Sequence, residues 1–223
     1  MRCPIFVSST RERENMLIGS IDPALKNVGF AIIDTNTSKL IHLGKSNLLQ
    51  PDCLKDGMSW KYSRSIIPKI CKQFIEDRID LFSKCDFIVI EMQMLSKFVQ
   101  ISLVLEALLL MMCPTIILHP SSVKKHFNIG TGNYNKNKKR SVECCHKVLT
   151  SEDWEIVKLF PEKKRDDVCD AILQGLYAMH NIETLFNRFN SEPKTTSNLT
   201  TVKVKKRKKK SSSSVDKKKQ KCL

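Results

Sequence analysis

Short, continuously apolar runs punctuate this chain, and two of them stop at a single acid. Ile18-Gly19-Ser20-Ile21 ends at Asp22, and Pro23-Ala24-Leu25-Lys26-Asn27 then leads into a second run, Val28 to Ile33. Runs of this length bounded by turn residues read as strands, at 16–22 and 28–34. Asp34-Thr35-Asn36-Thr37-Ser38 is a turn, and a third strand follows at 39–48. Strands so closely spaced predict an antiparallel meander. Phe87-Ile88-Val89-Ile90 ends at Glu91, giving a strand over 86–91, and Thr115-Ile116-Ile117-Leu118 ends at His119-Pro120 as another.

Between these runs the period lengthens to that of helices. Ile66, Ile67, Ile70, Phe74 and Ile75 mark the buried face of a helical region over 60–84, with Pro68 predicting either a start or a kink near it. Lys97 to Met112 is apolar nearly all round, which places it inside the core or partly against a second subunit. Ser121-Ser122-Val123-Lys124-Lys125 predicts a brief helix capped by serine. Gly130 to Lys139 reads as a Gly-, Asn- and Lys-rich loop, 137–149 as a helix and 150–163 as a connecting loop or turn. Val168, Ile172, Leu176 and Met179 then form the core stripe of a closing helix. Three strands, helix, strand, helix, strand, helices is the order of an α/β sandwich with a mixed sheet.

Composition sets the boundaries. The chain has 223 residues and a net charge of +15, of which 203–223 supply +10 through eleven Lys or Arg and one Asp. Residues 1–15 are expected to be a disordered N-terminal extension, with Met16 as an alternative start, and 16–190 to be one domain. Residues 191–223 are expected to be a disordered basic Lys/Ser-rich tail, a nuclear-import signal or a non-specific DNA arm. Such charge points to nucleic acid first and to an acidic membrane surface second. The most apolar segment, Phe98 to Cys113, is too short and too interrupted to span a membrane. Nine cysteines without C-x-x-C spacing fit reduced thiols in an intracellular setting rather than a zinc site or disulfide framework.

The acids carry the chemistry. Asp167 and Asp170, three apart, share one helical face, where like charges repel unless a cation lies between them. The plainer view is a solvated acidic helix start, which the helix dipole favours. Asp22 and Glu91 shift that balance, because an acid ending a buried strand costs free energy unless compensated. Few carboxylates, with room for water and phosphate, is how magnesium and manganese sites are built.

Taken in order, Gly19-Ser20-Ile21-Asp22-Pro23-Ala24-Leu25-Lys26-Asn27-Val28-Gly29, Ile90-Glu91-Met92-Gln93, Pro120-Ser121-Ser122-Val123-Lys124-Lys125, Gly130-Thr131-Gly132 and Asp166-Asp167-Val168-Cys169-Asp170-Ala171 resemble the RNase H-like nucleases. Within them the chain resembles the RuvC type of Holliday junction resolvase, and most closely the resolvases of poxviruses and related large DNA viruses, over about 16–180. The resemblance implies an RNase H-like fold with a mixed five-stranded sheet, three antiparallel strands then parallel ones, flanked by helices. It implies an endonuclease that nicks four-way and branched DNA in pairs, as a homodimer, with 97–112 a candidate interface. It further implies that Asp22, Glu91, Asp167 and Asp170 hold two Mg2+ ions, for which Mn2+ substitutes. Asp166 ranks lower, although two acids in a row leave the register of that pair open.

The same resemblance gives Lys124 a catalytic role at a phosphate and makes Lys125, Gly130 and Gly132 candidates for DNA contact. The family's second lysine falls on Lys136, Lys138 or Lys139, of which Lys139 is favoured. Localisation would be intracellular, in a viral factory or the host nucleus or cytoplasm, with a nuclear-import receptor as a further partner of the tail. Alternatives stay open: another RNase H-like nuclease (an RNase H or a general branched-DNA nuclease), or a non-catalytic DNA-binding protein. Actin-like kinases also begin with an acid after the first strand, but seven glycines in 223 residues argue against their phosphate loops. His119, and Tyr134, Trp60 or Tyr62 as stacking platforms for unpaired bases, are weaker candidates than structural roles for the same residues.

Overall fold

Five strands form the sheet: β1 (Leu17–Asp22), β2 (Val28–Asp34), β3 (Leu40–Ser46), β4 (Phe87–Glu91) and β5 (Thr115–Leu118), in the order β3-β2-β1-β4-β5. β1 pairs antiparallel with β2, and β2 with β3, while β4 runs parallel to β1 and to β5. The first three can be joined by turns, but parallel strands need crossovers. α1 (Ile67–Glu76) and α2 (Ile79–Phe82) lie between β3 and β4, and α3 (Ser96–Leu109) between β4 and β5. Five further helices follow: α4 (Pro120–His126), α5 (Tyr134–Val148), α6 (Ser151–Lys158), α7 (Arg165–His180) and α8 (Ile182–Asn190). The arrangement is an RNase H-like fold. The structure is a computed structural model and describes residues 16–49 and 66–190. The expectations for 1–15, for Trp60, Tyr62 and the start of the first helical region, and for the tail lie outside the described residues. The chain divides into two units, Met1–Asn190 and Ser191–Leu223, and the described residues all belong to the first.

Alternation along the strands sorts the side chains onto two faces. Ile21, Phe30, Ile88 and Ile90 pack with Phe74 and Phe82 of α1 and α2 and with Ile101 and Leu105 of α3. Ala31 and Ile33 pack against Val168 and Ile172 of α7, and Ile18, Phe87 and Val89 against Ala178 of α7 and Leu185 of α8. Ile18, Ile21, Phe82, Phe87, Ile88 and Ile101 are completely buried, each contributing roughly 1.5–3 kcal/mol through removal of its side chain from water.

Several local expectations are corrected. α5 begins at Tyr134 rather than near 137, because the Asn133 side chain accepts from the Lys136 amide and caps it, so Lys136 joins Lys138 and Lys139 on the helix. The stretch 150–163 is not a plain connection but contains α6. Thr150 Oγ1 accepts from the Asp153 amide at 3.1 Å, and the buried Asp153 carboxylate in turn accepts from the Leu40 amide at 3.3 Å. Eight residues are too few for a periodic stripe to announce that helix. α4 is capped by His119, whose Nδ1 accepts from the Ser121 amide at 3.2 Å, since Pro120 takes the first turn where its missing amide costs nothing. The helical region after 66 breaks at Asp77, with Pro68 in the first turn of α1. α3 is neither enclosed nor wholly surface: Ile101, Leu105 and Leu109 are fully buried, while Leu103, and Leu110 and Met111 just past the helix end, are exposed.

Candidate active site

A single row of residues crosses the sheet at the carboxyl ends of β1 and β4. Asp22 lies opposite Gly29, and Gly29 opposite Lys45. Ile21 stands beside Ile90 in the parallel pair, which carries Glu91 alongside Asp22. All four belong to the α7 face, because their neighbours two residues away, Ser20, Ala31, Leu43 and Val89, pack toward α7 and α8. Gly29 leaves the row a gap, and the start of α7 fills it. A Cβ at residue 29 would stand 2.2 Å from the Asp167 carbonyl oxygen, so only glycine fits.

The acids act on one another here. Burial raises the Asp22 carboxyl well above its ordinary range, and Glu91, Asp170 and Asp167 push it further while Lys124 opposes them. Glu91 is pushed up to about 7, first by burial and then by Asp170, again against Lys124. Asp170 rises to about 6 through burial, moderated by a hydrogen bond with Ser141 of α5 and by Lys124. Gln93 bridges the strand-end pair, its Nε2 donating to Asp22 Oδ1 at 3.3 Å and to Glu91 Oε1 at 3.5 Å. The backbone beneath is tied as well. Gln174 Nε2 of α7 donates to the Ile21 and Val89 carbonyls at 3.1 and 3.0 Å, and Ser102 Oγ of α3 donates to the Glu91 carbonyl at 2.9 Å.

Oxygen donors that repel one another in a buried site form a set that a hard divalent cation fits. Among the described residues, however, no three His, Cys, Asp or Glu side chains already stand as a metal-ligand group. Asp167 is held instead by Lys45, with Nζ 2.8 Å from Oδ2 and both side chains largely buried. Asp166, the neighbouring acid, is buried and pairs with Lys138 on α5. The two neighbouring acids are thus placed differently: Asp167 and Asp170 act on Asp22, while Asp166 pairs with Lys138 of α5 and acts on Asp170.

The basic candidates divide accordingly. Lys124 on α4 stands close enough to act on Asp22, Glu91 and Asp170. Lys138 reaches the edge of the site, paired with Asp166 and lying 5.0 Å from the centroid of the Tyr134 ring. Burial lowers the Lys138 ammonium, but hydrogen bonds to Asp166 and Tyr134 outweigh it and raise it. Lys139, favoured from the sequence, is turned to solvent and sits 3.9 Å from Glu143, and Lys125 and Lys136 are exposed too. Gly130 is exposed, and Gly132 adopts φ +72° with open space around it, a turn that favours glycine whether or not anything approaches. Sequence reasoning missed the roles of Lys45, Ser141 and Gln174, and quoted Gln93 without assigning it one. Only strand register brings Lys45 in, because nothing in its own stretch resembles an acid-ended strand.

The sheet order and its flanking helices define the RNase H-like fold, which solved structures share. The chain is similar in structure to Thermus thermophilus RuvC in complex with Holliday junction substrate, with a TM-score of 0.50 at 13% identity over 76% of this chain and 96% of that one. Fowlpox virus resolvase with substrate Holliday junction DNA gives a TM-score of 0.50 at 23% identity over 75% and 99%. The fowlpox virus Holliday junction resolvase alone gives 0.50 at 19% identity over the same shares, 75% and 99%. No curated protein matches. Residues 16–184 match the family model described as Poxvirus A22 protein, and the chain belongs to that family.

Proposed function

We propose that this protein is a structure-selective endonuclease that resolves four-way and other branched DNA junctions by paired nicks. The observation that carries the reading is the meeting of Asp22, Glu91, Asp167 and Asp170, from two strand ends and one helix, beside Lys124. The family and the shared fold with two resolvases solved on junction DNA support it, as does a chain of net charge +15.

The four acids would hold two divalent cations, Mg2+ or Mn2+ in its place. Such ions lower the pKa of an attacking water and stabilise charge on the attacking and leaving oxygens of a phosphodiester. The chain's own residues do the rest. Gln93 keeps the Asp22 and Glu91 carboxylates oriented toward each other, and Gln174 holds the ends of β1 and β4 at a fixed spacing. Lys124 supplies fixed positive charge for a phosphate entering a site rich in acids. Lys138 lies at the same rim and takes the part of second lysine, while Lys125, Lys136 and Lys139 offer backbone phosphates an outer ring of charge. Gly130 and Gly132 leave that loop free of side-chain bulk where the backbone meets DNA.

A junction needs matched nicks in two strands, so a symmetric homodimer supplies two sites related as the strands are. Leu103 of α3, with Leu110 and Met111 just past its end, leaves an open apolar stripe for a second copy. The protein would act inside the infected cell, on viral DNA. Among the described residues no helix is long and apolar enough to cross a membrane. The basic tail would serve as a DNA arm or bind an import receptor. The test is nicking of a synthetic four-way junction in Mg2+, beside linear duplex and an RNA–DNA hybrid. Paired cuts in the junction alone are expected. Cutting of the hybrid instead would make the chain an RNase H, and junction binding without any cutting would leave a DNA-binding protein.

A further inference from the structure

We propose that Lys45 is a built-in counter-ion of the carboxylate cluster, occupying Asp167 until a divalent cation displaces it. The inference rests on the metal site proposed above and adds to it a residue that sets how tightly that site takes its metal.

Three observations carry it. Register puts Lys45 in the same cross-sheet row as Asp22 and Glu91, on the same face, with the side-chain-free Gly29 between Lys45 and Asp22. The gap at Gly29 is filled by the first turn of α7, which sets Asp167 within reach of both Lys45 and Asp22. The Lys45–Asp167 pair is short, 2.8 Å, and its side chains are only 16% and 18% exposed, so this is not a solvated surface contact. Lys124 acts on Asp22, Glu91 and Asp170 from the α4 side, and Lys138 acts on Asp170 from α5. Lys45 thus serves a different part of the same acidic group.

Electrostatics supplies the reason for such a device. Two ionised carboxylates about 4 Å apart at an effective dielectric near 20 repel by roughly 4 kcal/mol, so without metal the cluster is relieved by bound protons and, where an acid stays ionised, by a nearby cation. A lysine is suited to be that charge and then to give way, since its ammonium is a point charge on a flexible four-carbon stem. Among the described residues β3 stands at one end of the sheet order. With a divalent cation bound at Asp167, Lys45 would release that carboxylate and give up its part in the charge balance. Lys45 is therefore a positioning residue, acting through Asp167 and opposing metal binding while it stabilises the metal-free fold.

The experiment is calorimetric titration of the full chain with Mn2+ alone, without DNA, together with thermal melts in chelator and in Mn2+. In Lys45→Met the metal-free melting temperature falls, yet Mn2+ binds about tenfold more tightly, because competition at Asp167 is gone. Lys45→Arg stays near wild type in both readouts. Lys72→Met, which removes the same charge from the exposed face of α1, leaves Mn2+ affinity unchanged. Unchanged or weaker Mn2+ binding in Lys45→Met overturns the counter-ion role and leaves the metal site standing. Absence of Mn2+ binding in the wild type overturns the metal site, and the counter-ion role with it. Should Lys45→Met fail to fold, Lys45→Gln is titrated at low temperature under the same criteria.

Discussion

The two faces of the sheet are made from alternate residues of the same strands, yet they follow opposite rules. On the α1 and α3 side, Ile21, Phe30, Ile88 and Ile90 meet Phe74, Phe82, Ile101 and Leu105, with Arg78 over Phe30 and Phe74 and hydrogen-bonded to Ser46 at the end of β3. On the α7 side the same apolar packing holds through Ile18, Ile33, Val89 and Ile172, but at the carboxyl ends of β1 and β4 it gives way to Asp22 and Glu91. There Gln93, Gln174, Lys45 and Lys124 surround acids that burial penalises. One face stabilises the fold, and the other gives up stability to keep charge where chemistry needs it. Period-two alternation makes this division possible within a single strand.

The comparison can be broken most severely on the site face. Asp170→Asn should lower junction cutting on the order of a thousandfold or more, about 4 kcal/mol of barrier, while binding of the junction persists. Metal-free thermal stability should stay level or rise, because a repelling charge is removed; a large drop in stability would show that Asp170 is structural. On the opposite face, Phe82→Ala empties a fully buried position and should cost about 3–5 kcal/mol in denaturant unfolding. The folded fraction should cut at the wild-type rate, and a selective loss of rate would mean that the two faces are not independent.

A pH titration sharpens the contrast. Glu91 and Asp170 are raised from 4.5 and 3.8 to about 7 and about 6, so on unfolding they release protons between those limits. The folded chain holds more protons there than the unfolded one, and metal-free stability should fall as pH rises from about 4 to 7. The slope is at most ~1.4 kcal/mol per pH unit for each group, levelling off above the folded values. Phe82→Ala should lower this curve without changing its shape, and Glu91→Gln should flatten it; equal slopes in wild type and Glu91→Gln would remove the assignment. The smallest effect is expected at the rim. Lys139→Ala should weaken junction binding slightly and reduce the salt slope by about one counter-ion, with the cutting rate at saturating DNA unchanged.

Much of this protein is written in patterns that need no partner to be read. The apolar runs ending at Asp22 and Glu91 follow from period two, and the helical stripe through Val168 and Ile172 from a period near 3.6. These local patterns predict the order of the five strands along the chain and all four acids. Tertiary structure decided what such patterns do not contain. α6 is held by one threonine cap and by a buried aspartate reaching β3, a contact across more than a hundred residues. Lys138, rather than Lys139, faces Asp166 because successive side chains on a helix are turned by about 100°, and only packing against α7 decides which one points there. Lys45 enters the site only through two successive strand registers and the space left by Gly29. Residue types and their spacing along the chain determine which groups are available. Pairing and packing between distant segments determine which of them face one another, since electrostatic and hydrogen-bonding forces act over ångströms in space and not along the sequence.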